Sequence, residues 1–381
     1  MKIRGIVGRR VFATIAYVQS RSFRNFRARC LALMIAGKKE IVLLLLSFIM
    51  AIAAAEFVVR MFDVTPYQTR LERYQFDETL GWRTRREYST YISRRRYAHH
   101  LYYDNDGFPS DESGVNASAS RDMPSIALIG DSFVEGYYLP HEQTLAYLLG
   151  RSTNRQILNL GVSGYSPGQY LLSARRHLKE FSVSDVVVFL FAYNDLAYVD
   201  SDVYRGYEKP LVSTDTFEPL NLPLEKRDGG ESEIRGVLRN ALDEFALWSL
   251  LKPLFVAIGE EGGDVVAAER LDASALDKSL QLIARIGTEF PDARLHVFYV
   301  PELAELLKPP VYQFNTDSFM ATCAELALRC VLPDGLADGD VEAHYIPEDR
   351  HFSARGAMLV ADQVGELLDT HEAGLQERGG N

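Results

Sequence analysis

Past residue 123 the chain alternates short apolar runs with stretches of helical spacing. The runs at 125–132 (SIALIGDS, closing in a turn), 156–162 (QILNLGV), 185–195 (DVVVFLFAYND), 294–301 (RLHVFYVP) and 330–333 (CVLP) predict β-strands. Between and after them, 143–152, 168–181, 232–252, 271–289, 316–328 and 354–368 predict helices. Apolar strands that alternate with helices predict an α/β domain with a parallel sheet covered on both faces. Such sheets bind ligands at the carboxyl ends of their strands, near the point where strand order reverses. Residues 196–230, rich in Tyr, Pro, Asp and Gly, interrupt the pattern as one long insertion.

Upstream the pattern differs. Residues 41–59 (IVLLLLSFIMAIAAAEFVV) are predominantly apolar with a single charge, Glu56, near one end, and nineteen residues at a rise of about 1.5 Å each just span a bilayer core. Residues 1–40 form a basic tail and 60–122, rich in Arg, Tyr and Asp without clear period, a membrane-proximal stalk or linker with a few strands. The polar loop 111–122 marks the boundary to a domain at 123–372, and 373–381 read as a flexible tail.

Charge orients this plan. The formal net charge is −11, but residues 1–39 hold ten Lys and Arg and no Asp or Glu. The rest carries thirty-one basic against fifty-two acidic residues, a balance that argues against nucleic acid as partner. Six Lys or Arg lie in the twenty residues before the apolar segment and three in the twenty after it. The positive-inside rule therefore places the tail in the cytoplasm and residues 60–381 outside the inner membrane, in the periplasm or its equivalent. A cleaved secretory signal starting at Met34, with Ala53-Ala54-Ala55 as its cleavage site, is the alternative, and it exports the same domain. Cys323 and Cys330, seven apart, admit either a disulfide or two buried thiols. No Cys/His spacing suggests a metal, and no cofactor is implied.

The candidate chemistry sits just past strand ends. Gly130-Asp131-Ser132 follows the first predicted strand, Gly161-Val162-Ser163-Gly164 the second and Asn194-Asp195 the third, while Asp349-Arg350-His351 precedes the last helix. In a parallel sheet these ends converge on one rim. A serine hydroxyl there needs a base to take its proton, and an imidazole backed by a carboxylate serves near neutral pH. Over roughly 123–370 the blocks IGDSFVEG, NLGVSGYS, FAYND and D-x-H resemble the SGNH (GDSL-type) hydrolase superfamily, in a membrane-anchored bacterial form. That resemblance implies a flavodoxin-like αβα sandwich. It also implies Ser132 as nucleophile, Ser132, Gly164 and Asn194 as the oxyanion hole, His351 as base and Asp349 as the carboxylate that orients it.

This sequence departs from the family pattern at two points. Ala192 stands where Gly is common, and the last block is D-x-H rather than D-x-x-H, which leaves Glu348 as an alternative to Asp349. Gly164-Tyr165-Ser166-Pro167-Gly168 also matches a G-x-S-x-G nucleophile elbow, but Pro167 sits in the turn right after its serine. Asp131 and Asp195 read as loop organisers. The expected activity is hydrolysis of acyl esters, O-acetyl foremost, on a small molecule or an envelope or extracellular glycan. Two alternatives stay open: a polysaccharide O-acetyltransferase supplied by a membrane acyltransferase partner, and a catalytically silent glycan-binding protein.

Overall fold

The computed structural model describes residues 39–379 except 41, 60, 62–72, 94–95, 115–117, 205, 227–272, 308–313 and 348. The chain divides into two units. The first contains a helix, α1 (Val42–Val59), the one helix among the described residues long and apolar enough to cross a membrane. A signal sequence has the same length and composition. The basic tail up to residue 38, with Met34, and the helix expected at 232–252 lie outside the described residues.

The second unit is built on a five-stranded sheet of β6 (Ser125–Ile129), β7 (Gln156–Asn159), β8 (Val183–Phe191), β11 (Arg294–Val300) and β12 (Arg329–Val331). Every pairing is parallel, in the order β12-β11-β8-β6-β7. Counted by sequence within the sheet this is 2-1-3-4-5, the flavodoxin-like order, and the order reverses between β6 and β8. Alternate residues feed two cores. Ala127, Ile129, Val186, Val188, Leu190 and Val297 face one, and Ile126, Leu128, Val187, Phe189 and Phe298 face the other. α4 (Pro167–His177) and α6 (Ala273–Glu289) cover the first face, and α3 (Leu145–Thr153) and α9 (Ala354–Gly379) the second. The αβα sandwich is the architecture expected, with β9 (Val203–Tyr204) and β10 (Tyr207–Glu208) as an antiparallel pair and α7 (Leu303–Leu306) as a single turn after β11.

Three details differ from the sequence reading, and one choice that it left open is settled. The third strand ends at Phe191, and residues 192–195 already belong to a helix, α5 (Ala192–Tyr198), which brings Asn194 back over the sheet edge. The last helix continues to Gly379, past residue 372. Cys323 and Cys330 are joined in a disulfide that ties α8 (Thr316–Glu325) to β12. The third difference is the largest. Residues 73–110, read as part of a stalk, carry β1 (Tyr74–Asp77), β2 (Gly81–Thr84), β3 (Tyr88–Ser93), β4 (Ala98–Tyr103) and β5 (Pro109–Ser110), two antiparallel sheets in the same compact unit. Leu80, Trp82 and Phe108 enter the first core, and Ile92, Leu101 and Tyr103 the second. Their polar partners are buried with them, so hydropathy alone does not reveal the role.

This cover also packs against His177, at the end of α4. Phe108 meets its ring edge-on at 5.4 Å, and burial, followed by the charges of Arg176 and Arg86, pushes the imidazole down to about 4. The unfolded chain takes up this proton near pH 6.5 and the folded chain only near pH 4. Wild type should therefore lose stability relative to His177→Gln as pH falls from about 6.5 to about 4, by up to a few kcal/mol. Chemical denaturation of both proteins across that range measures the difference. Parallel curves would contradict it.

Candidate active site

Ser132 opens a one-turn helix, α2 (Ser132–Glu135), directly after β6. Asp131 caps it, its Oδ1 accepting from Phe133 N–H at 3.0 Å. Gly136, in the left-handed region at φ 70°, ends it. The turn lifts the serine hydroxyl to the carboxyl edge of the sheet, at the switch point.

His351 comes from the other end of the sequence. Its Nε2 lies 2.8 Å from Ser132 Oγ, and its Nδ1 contacts the Asp349 carboxylate. The second Asp349 oxygen accepts from Tyr97 OH at 3.2 Å. Glu348 lies outside the described residues, and Nδ1 is already occupied by Asp349. The side chain is 11 % exposed and wedged among rings. Tyr138 stacks on it at 4.3 Å and 25°, with Phe133 at 4.9 Å and Tyr137 edge-on at 5.7 Å. An aromatic cage of this kind holds the ring in one plane.

The two-residue spacing of Asp349 and His351 has a backbone cause. Arg350 between them adopts φ 67°, a left-handed conformation that an L side chain resists at about 1–2 kcal/mol. Around it the chain is pinned by Arg350 N–H to Ile346 O at 3.0 Å, Ile346 N–H to His351 O at 2.7 Å and Arg350 Nη1 to Glu302 Oε1 at 2.9 Å. Arg350→Asn and Arg350→Val both remove the ion pair, but only Asn tolerates the left-handed backbone. Turnover of Arg350→Val should fall at least about tenfold below that of Arg350→Asn, the worth of one misplaced contact of about 1.4 kcal/mol. Steady-state kinetics of the two variants measures it, and equal rates would remove any role for this conformation.

The other two loops close on the same turn. Asn194 Nδ2 donates to Asp131 Oδ2 at 3.0 Å, which leaves the second amide hydrogen for another acceptor. The loop after β7 lies backbone to backbone on α2: a side chain at Gly161 would reach within 2.3 Å of Glu135 N. Asn159 Nδ2 donates to Val134 O at 2.8 Å, and Val162 N–H to Gly130 O at 3.1 Å. Gly164 has φ 82°, and a side chain there would strike the ring of Tyr204. Among the described residues the N–H groups of Ser132 and Gly164 meet no protein acceptor. The structure thus brings Ser132, His351 and Asp349 together in one chain of hydrogen bonds, and ties the loops bearing Gly164 and Asn194 to the same turn.

Asp131 and Asp195 hold loops. Asp195 accepts from Tyr170 OH at 2.7 Å and Phe191 N–H at 2.9 Å. Burial pushes both carboxyls above their usual range, and for Asp195 the charge of Asp131 adds to it. Ser166, the serine of the rival elbow, caps α4 with Pro167 at the first helical position, and its hydroxyl is taken by buried Lys209. Among the described residues no group of three or more His, Cys, Asp and Glu side chains is set to hold a metal ion. Sequence reasoning missed the aromatic cage and the Arg350 conformation. The tyrosine pair of IGDSFVEGYY, placed right after the serine turn, was the one signal for the cage.

No protein-family model matches the chain, and no curated protein does. Solved structures do resemble it. A lipase/acylhydrolase from Enterococcus faecalis is 14 % identical over 65 % of this chain and 97 % of its own, with a TM-score of 0.38. A member of the lipolytic protein G-D-S-L family from Veillonella parvula is 14 % identical over 64 % and 96 %, at 0.35. A two-domain esterase active on acetylated mannans is 11 % identical over 66 % and 50 %, at 0.37.

Proposed function

We propose that this chain is a serine esterase that releases acyl groups, acetyl foremost, from envelope or extracellular glycans, working outside the cytoplasm on a tether formed by residues 41–59. The observation that carries the reading is the 2.8 Å contact between His351 Nε2 and Ser132 Oγ, with Asp349 on Nδ1. In that chain Nδ1 bears the hydrogen donated to the carboxylate, which leaves Nε2 as acceptor of the serine proton.

As Ser132 Oγ attacks an ester carbonyl, its proton passes to His351 Nε2. The carbonyl oxygen becomes an oxyanion within reach of the unpaired Ser132 and Gly164 N–H groups and the free Asn194 amide hydrogen. Collapse expels the alcohol, which takes the proton from His351, and leaves an acyl-serine. Water, deprotonated by the same imidazole, attacks the acyl carbonyl. Carboxylic acid departs and Ser132 recovers its proton. Asp349 stays ionised throughout and steadies the imidazolium.

Half-buried tyrosines at the rim, Tyr97 beside Asp349, Tyr193 beside Asn194 and Tyr204 over Gly164, support a saccharide carrier, since ring faces suit the apolar faces of sugars. Export is supported by the charge step across residues 41–59 and by the Cys323–Cys330 disulfide, a bond that persists in oxidising compartments. The test is turnover of p-nitrophenyl esters from two to eight acyl carbons by the purified full-length protein, beside acetate release from an acetylated polysaccharide. Fastest turnover of the acetyl ester is expected. A wild type no faster than Ser132→Ala on every ester would defeat the reading. Acetyl transfer to added glycan with little free acetate would favour the transferase.

A further inference from the structure

We infer that Trp82 and Glu135 are positioning residues of this active site, so that the strands N-terminal to the sheet are a working part of it rather than a spacer. The inference rests on the esterase reading, because it concerns the oxyanion donor that reading assigns to Gly164.

The geometry centres on Ser163. Its carbonyl oxygen accepts from Trp82 Nε1 at 3.0 Å, and its N–H donates to Glu135 Oε2 at 2.8 Å. Both polar groups of this one residue are therefore fixed from outside its loop. The Ser163–Gly164 peptide is trans, so the Ser163 C=O and the Gly164 N–H point in opposite directions in one rigid plane. Holding the oxygen on the indole aims the Gly164 N–H away from Trp82. That N–H has no acceptor among the described residues, which is the state an oxyanion donor requires before substrate arrives.

Glu135 links this peptide to the nucleophile. It is the last residue of the single turn that Ser132 begins. Its carboxylate is 1 % exposed, yet both oxygens are saturated. Oε1 accepts from Arg73 Nε at 2.8 Å and Tyr103 OH at 2.8 Å, and Oε2 from Tyr74 OH at 2.6 Å and Ser163 N–H at 2.8 Å. Four donors match the capacity of an ionised carboxylate. Three of them come from the 73–103 segment and the fourth from the loop that carries Gly164. A shift of Glu135 thus moves the serine turn and the oxyanion loop together. Trp82 is itself braced: its carbonyl accepts from Tyr165 OH, and Tyr204 stacks on its ring at 5.6 Å and 25°.

A buried carboxylate with these partners would also suit a purely structural role, and kinetics separates the two. Trp82→Phe keeps an aromatic ring but removes the donor together with the five-membered ring, so its unfolding temperature is read beside its kcat. Glu135→Gln keeps the shape but replaces one acceptor oxygen by an NH2 group that cannot accept. Ile92→Val, four positions along β3 from Tyr88, which pairs with Tyr103, and making none of these hydrogen bonds, serves as packing control and should lower the unfolding temperature with no change in turnover.

The experiment measures kcat, KM and unfolding temperature of the full-length protein and these variants on p-nitrophenyl acetate, well below the lowest unfolding temperature. Losing one oxyanion donor outright costs about a hundredfold or more, so a misaimed donor should lower kcat at least about tenfold. KM should stay within about threefold for both test variants. Wild-type kcat in Trp82→Phe and Glu135→Gln overturns the inference, and so does a loss of kcat that tracks unfolding temperature across all three variants. If Trp82→Phe fails to fold, Glu135→Gln alone decides by the same criteria. A wild type no faster than Ser132→Ala overturns the esterase reading and this inference with it, whereas an active wild type with unaffected variants overturns this inference alone.

Discussion

Ser132→Ala should reduce ester turnover by at least about a thousandfold, to whatever the remaining oxyanion donors supply. The change removes one oxygen and leaves the scaffold alone: Asp131 still caps the turn through Phe133 N–H, and the rings of Tyr138 and Phe133 still hold the imidazole. Stability should therefore change little, because the lost contacts are the 2.8 Å bond to His351 and a long 3.5 Å approach to Asp131. A large loss of kcat without loss of fold separates a nucleophile from a structural serine. Circular dichroism with steady-state kinetics on the same preparations measures both. Retained turnover in a folded Ser132→Ala protein would remove this serine from the mechanism.

The second large effect concerns Asp349. An asparagine there can face Nδ1 with its NH2 group, which stabilises the imidazole tautomer whose Nε2 already bears hydrogen and cannot accept the serine proton. In serine-histidine-carboxylate systems that exchange costs on the order of ten-thousandfold in kcat, and Asp349→Asn should approach it. Glu348→Gln should stay within about threefold of wild type. The pair of variants decides between the two carboxylates directly. Loss in Glu348→Gln with near-normal Asp349→Asn would reassign the orienting role. Tyr97, which donates to the outer Asp349 oxygen at 3.2 Å, predicts a smaller effect in Tyr97→Phe.

Much of the sheet could be read from the sequence because its strands are buried on both faces. Runs such as VVVFLF have few competing solutions, and neighbours along them feed opposite cores, as with Val187 and Val188. The site residues were visible because each stands at a strand end or just before a helix, where position alone implies the rim. What stayed hidden depends on tertiary contacts. Asp349 could not be separated from Glu348 because the shorter spacing works only with Arg350 in the left-handed region, and arginine carries no signal for it. That the strands of 73–110 belong to the domain rather than to a stalk is not legible, because they are two to six residues long and the segment buries Arg73, Tyr103 and Trp82 rather than an alternating apolar face. Glu135 carries no local signal of its role, since its four donors come from residues 28 to 62 positions away. Composition cannot anticipate a buried carboxylate whose partners lie so far along the chain.

The chain's chemistry is tested most directly by covalent labelling with an alkyl fluorophosphonate, which transfers phosphorus to an activated serine and expels fluoride. Intact-mass and peptide mass spectrometry of the full-length protein should find a single adduct, on Ser132, that is lost in Ser132→Ala and forms far more slowly in His351→Ala. An adduct on Ser166 instead, or labelling of Ser132 at the same rate without His351, would contradict the account.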